Sequence, residues 1–271
     1  MRSTSAAAQL AALAAGLAVP EALAAPAAVA AVAGCYAPKI EPGSACSIDC
    51  PGKLACVDGA CEEVTPDPSL IAHWRFDDPP EDGVLDSSGR GHHGTCSACP
   101  ELVPAVHGGG YQFTAARRQI ITVPDAPDFR GIYTITAWIR PTRMSAQRAV
   151  LGKPFGDGIG NSWQLEVLGD DRVSLSGGSP HSLASPDPIA PGEWHHLAGS
   201  WDGHEKELFI DGDKVAEVDA TLEYDGHSIY LGGDQNGGEE VLHWDGVLDD
   251  LRVYDRELSN SEIDDLADGG F

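Results

Sequence analysis

The sequence predicts an all-β fold of two packed antiparallel sheets, a β-sandwich or jelly roll, and three observations carry that prediction. From Leu70 onward, short runs rich in Ile, Val, Tyr, Trp and Thr recur between clusters of Gly, Asp, Asn and Pro, the pattern of strands joined by turns. In YTITAWIR (133–140), Tyr133, Ile135, Ala137 and Ile139 alternate with Thr134, Thr136, Trp138 and Arg140, so each set faces one side of a strand. A clear helix pattern occurs only near the C-terminus. Many strands and almost no helix leave two sheets as the way to bury the apolar faces.

The chain has 271 residues, enough for one large domain or two modest ones. Residues 1–34 are mostly alanine, with only Arg2 and Glu21 charged, and have too little side-chain volume for a core. They read as an export signal: a basic start, MRSTS, then an apolar stretch, then small residues. ALA-A at 22–25 matches a signal-peptidase exit. VAGC at 32–35 matches a bacterial lipobox, in which Cys35 receives lipid. Pro20 and Glu21 break the apolar run short of the ~20 residues a membrane span needs. The expectation is an exported protein held at the cell envelope by lipid on Cys35, with plain secretion as the alternative.

Lipidation of Cys35 leaves six of the seven cysteines, an even set that suits disulfides in an exported chain. Residues 35–65 form a small Cys-rich stapled module containing Cys46, Cys50, Cys56 and Cys61, whose pairing the sequence leaves open. VTPDPS (64–69) carries two prolines and reads as a linker into the main domain, 66–271. Cys96 and Cys99 form a C-x-x-C. It reads as a local disulfide, with zinc beside His92 and His93 as the alternative.

Within the main domain, RAVLGK (148–153), SWQLEVL (162–168), RVSLS (172–176), EWHHLAGSWD (193–202), KELFIDGDKVAEV (206–218), SIYLGG (228–233) and VLDDLRVYD (247–255) continue the strand pattern, for about ten to twelve strands in all. Asp211-Gly212 marks a hairpin, because both central residues of a type I′ turn need positive φ. Ser259 caps the final helix, Glu262 completes a capping box, and Ile263 and Leu266 give it an apolar edge. His195 and His196 are adjacent on a strand, so they point to opposite faces and cannot share a metal.

LIAHWRFDD…VLDSSGRGHHGT (70–95), YQFTAARRQIITVPDAPDF (111–129), YTITAWIRP (133–141), GEWHHLAGSWDGHEKELFIDGDKV (192–215) and HWDGVLDDLRVYDRELSNSEIDDL (243–266) together resemble, in order, the laminin-G-like jelly-roll domains of the concanavalin A-like lectin/glucanase superfamily. The resemblance implies that fold, with the tryptophan of YTITAWIRP facing inward. It also implies a structural calcium ion where the start of the domain meets its end. Asp77, Asp78 and Asp86 of the opening and Asp249 of the closing strand, with Asp250 beside it, are the expected oxygen ligands. Trp244, before Asp245-Gly246, is the expected ligand-binding aromatic, while Trp74, Trp138, Trp163, Trp194 and Trp201 read as core.

The fold hosts binding modules, enzymes and spacers alike, so function has to come from the site. Retaining glycosidases need two carboxyls about 5 Å apart, which a strand supplies as E-x-D-x-E. Glu217 and Asp219 begin such a spacing, but Thr221 follows. Glu205 and Glu207 lack the third acid. The expectation is a non-catalytic domain that binds carbohydrate or an extracellular protein. A net charge of −25 argues against nucleic acid as partner, and leaves lipid as the means of membrane attachment. An aromatic platform on one sheet face points to glycan, a smooth charged face to adhesion without a small ligand, and two carboxylates in a groove to glycan cleavage.

Overall fold

The computed structural model describes residues 44–45, 54–57, 60–63 and 67–269, apart from 158–159 and 181. The chain divides into two compact units, residues 1–41 and 42–271, and the first lies wholly outside the described residues, together with Cys35. Within the second unit, β1 (Ser44–Ala45), β2 (Leu54–Val57) and β3 (Ala60–Glu63) form a three-stranded antiparallel sheet in the order β1-β3-β2. Cys56 and Cys61 hold facing positions on β2 and β3. The pairing expected of Cys46, Cys50, Cys56 and Cys61 lies outside the described residues.

The main domain is the expected sandwich. Its strands are β4 (Leu70–Trp74), β5 (Glu101–Pro104), β6 (Gly109–Phe113), β7 (Ile121–Val123), β8 (Tyr133–Pro141), β9 (Arg148–Phe155), β10 (Gly160–Val167), β11 (Arg172–Ser176), β12 (Ser182–Pro188), β13 (His195–Trp201), β14 (Glu205–Ile210), β15 (Asp213–Asp219), β16 (Ile229–Leu231), β17 (Asp234–Asn236), β18 (Glu239–Val241) and β19 (Gly246–Tyr254). A six-stranded sheet runs β12-β11-β10-β9-β16-β7. An eight-stranded sheet runs β15-β14-β13-β8-β19-β6-β5, with β4 also paired to β19, and β17-β18 is a separate hairpin. The short strands β5, β17 and β18 have too few residues to show an alternation, which is why the sequence suggests fewer strands.

The core lies between the two large sheets. Ile135, Ala137 and Ile139 of β8 face Trp163, Leu165 and Val167 of β10 across it, all at most 1 % exposed. Burying apolar side chains of this size stabilises the fold by roughly 1.5–3 kcal/mol each. Trp74 and Trp163 join that core as expected. Trp138 does not. The alternation of β8 turns it away from the core, against the inward position the resemblance implied, and it packs on His196 with ring centroids 5.4 Å apart.

The hairpin and the helix form as the local chemistry requires. Asp211 and Gly212 both have positive φ, 51° and 87°, between β14 and β15. Helix α1 (Asn260–Ala267) carries the full capping box: Ser259 accepts from the Glu262 N–H, and the Ser259 N–H donates to the Glu262 carboxylate at 2.8 Å. Ile263 docks on the eight-stranded sheet in a second cluster with Ala198, Phe209, Tyr254 and Leu258.

Candidate functional site

The start and end of the domain meet on β19. Its first half pairs with β6 and its second half with β4, so the acidic opening and closing segments converge there. Asp77 and Asp249 both hold the loop before β6. Asp77 Oδ1 accepts from the Gly109 N–H at 2.8 Å, and Asp249 Oδ2 accepts from the His107 N–H at 2.9 Å. Gly108 fits because a Cβ there would lie 2.5 Å from Asp77 Oδ1. Arg75 Nε meets the other oxygen of Asp77 at 3.0 Å. Asp249 is fully buried, and its Oδ1 has no partner among the described residues. Burial, with the charges of Asp250 and Asp77, pushes its carboxyl up to about 7.

The other expected calcium ligands are placed differently. Asp86 receives the backbone N–H groups of His73, Ser88 and His92 and the Ser88 hydroxyl, at 2.8–2.9 Å. Burial works against its charge, but these donors outweigh that and hold the carboxyl below its usual range. Asp86 therefore shapes the glycine-rich loop, and its oxygens are occupied by the chain. Asp78 contributes its backbone carbonyl, which accepts from Tyr111 at 2.7 Å, and its side chain is exposed. Asp250 sits at a bulge with φ 49°. Burial opposes its charge as well, but Arg252 at 2.8 Å and His73 at 2.5 Å keep it ionised. Of Asp77, Asp86 and Asp249, only Asp249 keeps an oxygen without a partner among the described residues, because Asp77 is held by the Gly109 N–H and by Arg75.

Trp244 needs correction as a ligand platform: it is 0 % exposed within the main core, so neither ring face is open to a ligand. Cys96 and Cys99 form the expected disulfide, S–S 1.99 Å, which removes both thiolates from the zinc alternative. Among the described residues, the one trio of metal-type side chains within reach of a common ion is Glu205, Glu207 and Glu217. Lys214 already bridges Glu207 and Glu217, at 2.9 and 2.6 Å.

A second site lies on the outer face of the six-stranded sheet, a groove of about 380 Å³. Along β10, Trp163, Leu165 and Val167 enter the core, so Gln164 and Glu166 face the groove. Ser176 of β11 and Ser182 of β12 face each other along it, and Asn161 and Asp234 complete its floor. The β11–β12 turn needs its glycine, because a Cβ on Gly177, φ 119°, would lie 2.5 Å from the Ser162 carbonyl. Buried Lys206 donates to the Gly177 and Pro180 carbonyls at 2.9 and 3.0 Å and fixes that turn.

The groove floor has unfilled hydrogen-bonding capacity. Gln164 and Gln147 donate their amides to Glu166 Oε2 at 2.5 and 2.6 Å. The Gln164 carbonyl oxygen, Asn161 Oδ1 and Asp234 Oδ1 are buried without a partner among the described residues. Burial pushes the Asp234 carboxyl up to about 6, and Glu166 adds to the shift. A buried acceptor without a donor costs roughly 1–3 kcal/mol, and three of them lie together among the residues lining this groove. None of the site residues expected from the sequence lies in this groove, whose amides and acids carry no motif. The alternation in SWQLEVL was the available signal, and it puts Gln164 and Glu166 on the face opposite Trp163.

Two sheets of this topology, with a polar groove on one outer face, define a lectin-type jelly roll. A family model described as the concanavalin A-like lectin/glucanases superfamily matches residues 116–264, more than half of the chain, and the chain belongs to that family. Among curated proteins, pentraxin-related protein PTX3 from Mus musculus is 26 % identical over 155 residues, covering 51 % of this chain and 39 % of its own length. PTX3 from Homo sapiens is 28 % identical over 115 residues, covering 37 % and 29 %. This chain thus spans well under half the length of those relatives. Among solved structures, the binding domain of Paraclostridial Mosquitocidal Protein 1 has TM-score 0.60 at 15 % identity, covering 74 % of this chain and 52 % of that one. Domain 4 of AbnA, an extracellular arabinanase from Geobacillus stearothermophilus solved with arabinotriose, has TM-score 0.57 at 22 % identity, covering 73 % and 98 %. These structural likenesses concern the fold.

Proposed function

We propose that this chain is a non-catalytic, exported binding protein whose jelly roll holds a carbohydrate in the groove on the six-stranded sheet. The observation that carries the reading is the set of three buried, unpartnered acceptors on the groove floor. Sugar hydroxyls are the donors that suit them. The arabinotriose-bound arabinanase domain supports a saccharide ligand on this fold. The aromatic platform expected of a glycan site is not in this groove, whose lining has no aromatic residue among those described, so recognition here rests on hydrogen bonds rather than ring stacking. Lipid on Cys35 would display the domain at the cell envelope. A structural calcium ion on the unpartnered oxygen of Asp249, with Asp77 released from Arg75, would brace the junction of the domain's two ends.

The test is a glycan-array experiment on the whole chain, once with calcium and once with chelator. Saccharide binding in either condition supports the reading, and loss on chelation adds calcium as a requirement. A folded chain that binds no saccharide refutes it in favour of adhesion to protein. One observation favours a second reading, glycan cleavage: Glu166 and Asp234 share the groove, and Asp234 is the acid of raised pKa. Release of shorter saccharides by the wild type, lost in Glu166→Gln, would establish that activity.

A further inference from the structure

The groove also says which saccharides suit it. Its buried unpartnered side-chain atoms are all of one kind: Asn161 Oδ1, Gln164 Oε1 and Asp234 Oδ1 are acceptors, and each residue is at most 6 % exposed, while the Asp234 carboxyl also receives the Gln235 N–H and the Asn161 amide. The assignment of the Gln164 amide is fixed by its bond to Glu166, which leaves the oxygen as its unpartnered atom in this groove-lining residue. Glu166 places a second carboxylate beside that of Asp234. The lining has no Lys, Arg or His among the described residues. Ser182 and Ser174 join through their hydroxyls at 2.8 Å, which extends the polar strip to the edge of the sheet.

We infer that the groove selects a donor-rich, basic amino sugar, a hexosamine with a free amine, over acidic sugars. An ammonium group brings three donors and no acceptor, which matches a floor of acceptors and carboxylates. The carboxylate of a uronic or sialic acid brings acceptors alone. It would meet unpaired oxygens and like charge with no cation to offset either. A lone metal ion would leave most of the space unfilled, because about 380 Å³ is room for roughly a dozen waters. The inference rests on the carbohydrate-binding reading and narrows it to one class.

The test is isothermal titration of the whole chain at neutral pH, in buffer with chelator, against three tetrasaccharides: β-1,4-linked glucosamine, its N-acetylated form and a galacturonate. The glucosamine oligomer is expected to bind at least tenfold more tightly than the galacturonate. Gln164→Met, which leaves the net charge unchanged, is expected to lose most of that affinity. Asp234→Asn, nearly the same size, provides a second variant should Gln164→Met fail to fold, and is expected to lose affinity for the amine as well. Galacturonate binding as tightly as glucosamine overturns the inference and leaves the carbohydrate reading standing. Unchanged glucosamine affinity in both folded variants also overturns it, assigning the attraction to the acidic surface at large. No binding to any of the three overturns it, and silence across the wider glycan array then removes the carbohydrate reading as well.

Discussion

Gln164 donates its amide to Glu166, two residues along the same strand, and its own carbonyl oxygen is left buried with no partner among the described residues. The bond fixes the rotamer that leaves the buried acceptor without a partner. Gly152 makes room for it, because a Cβ there would come within 3.0 Å of that oxygen. The arrangement is a small cost in stability placed where a ligand can relieve it.

Asp234 gives the pH dependence of that cost. Burial raises its folded carboxyl to about 6, against an ordinary value of 3.8. The folded state therefore holds the proton more tightly than the unfolded state. Stability from this group is full below about 4 and falls as the pH rises through about 6. Asp234→Asn is expected to gain about 2 kcal/mol relative to wild type at pH 7.5 compared with pH 4, measured by urea unfolding at both. A gain that does not grow with pH would contradict the assignment. The same variant is expected to bind saccharide more weakly.

Calcium is expected to raise the melting temperature of the wild type and chelator to reverse the rise. At a free concentration about 100 times Kd, a bound ion contributes about 2.7 kcal/mol. Asp249→Asn is expected to abolish the calcium response. Asp86→Asn is expected to lower stability through loss of its loop contacts while keeping the response. A calcium shift that survives in Asp249→Asn would place the ion elsewhere.

Lys153 is fully buried, with its ammonium on Asp125 and the His227 carbonyl, both at 2.5 Å. Asp125→Ala leaves that charge buried without its counter-ion and is expected to cost about 3–5 kcal/mol. Lys153→Met is expected to cost less, because Asp125 keeps Arg130 and some solvent access. Chemical denaturation of the two variants tests the order, and equal losses would mean the pair is not limiting.

Ser259→Ala removes the cap of the one α-helix among the described residues. It is expected to cost about 1 kcal/mol. Because α1 docks Ile263 on the eight-stranded sheet, the loss should appear as faster amide exchange in 260–267 before the sandwich opens.

Much of the fold was legible in the sequence because its signals are local. The alternation around Ile135, the paired positive φ at Asp211 and Gly212, and the Ser259–Glu262 box each depend on a few neighbouring residues. The convergence of Asp77 and Asp249 was reachable through the family resemblance. The groove was harder to foresee because Asp234, on the β17–β18 hairpin, joins Asn161 and Gln164 of β10 only in the folded sheet. Trp244 misled because an aromatic before Asp-Gly reads as exposed, while the Gly232 carbonyl accepts its backbone N–H and draws it into the core. Trp138 misled because the family pattern names the residue but not the face.

The most direct test is a crystal structure of the whole chain soaked with a short saccharide that the glycan array identifies. The account predicts a sugar ring on the six-stranded sheet, with donors within hydrogen-bond distance of Asn161 Oδ1, Gln164 Oε1 and Asp234 Oδ1. A saccharide bound at the β4–β6 rim or on the eight-stranded sheet, with the groove empty, would contradict it.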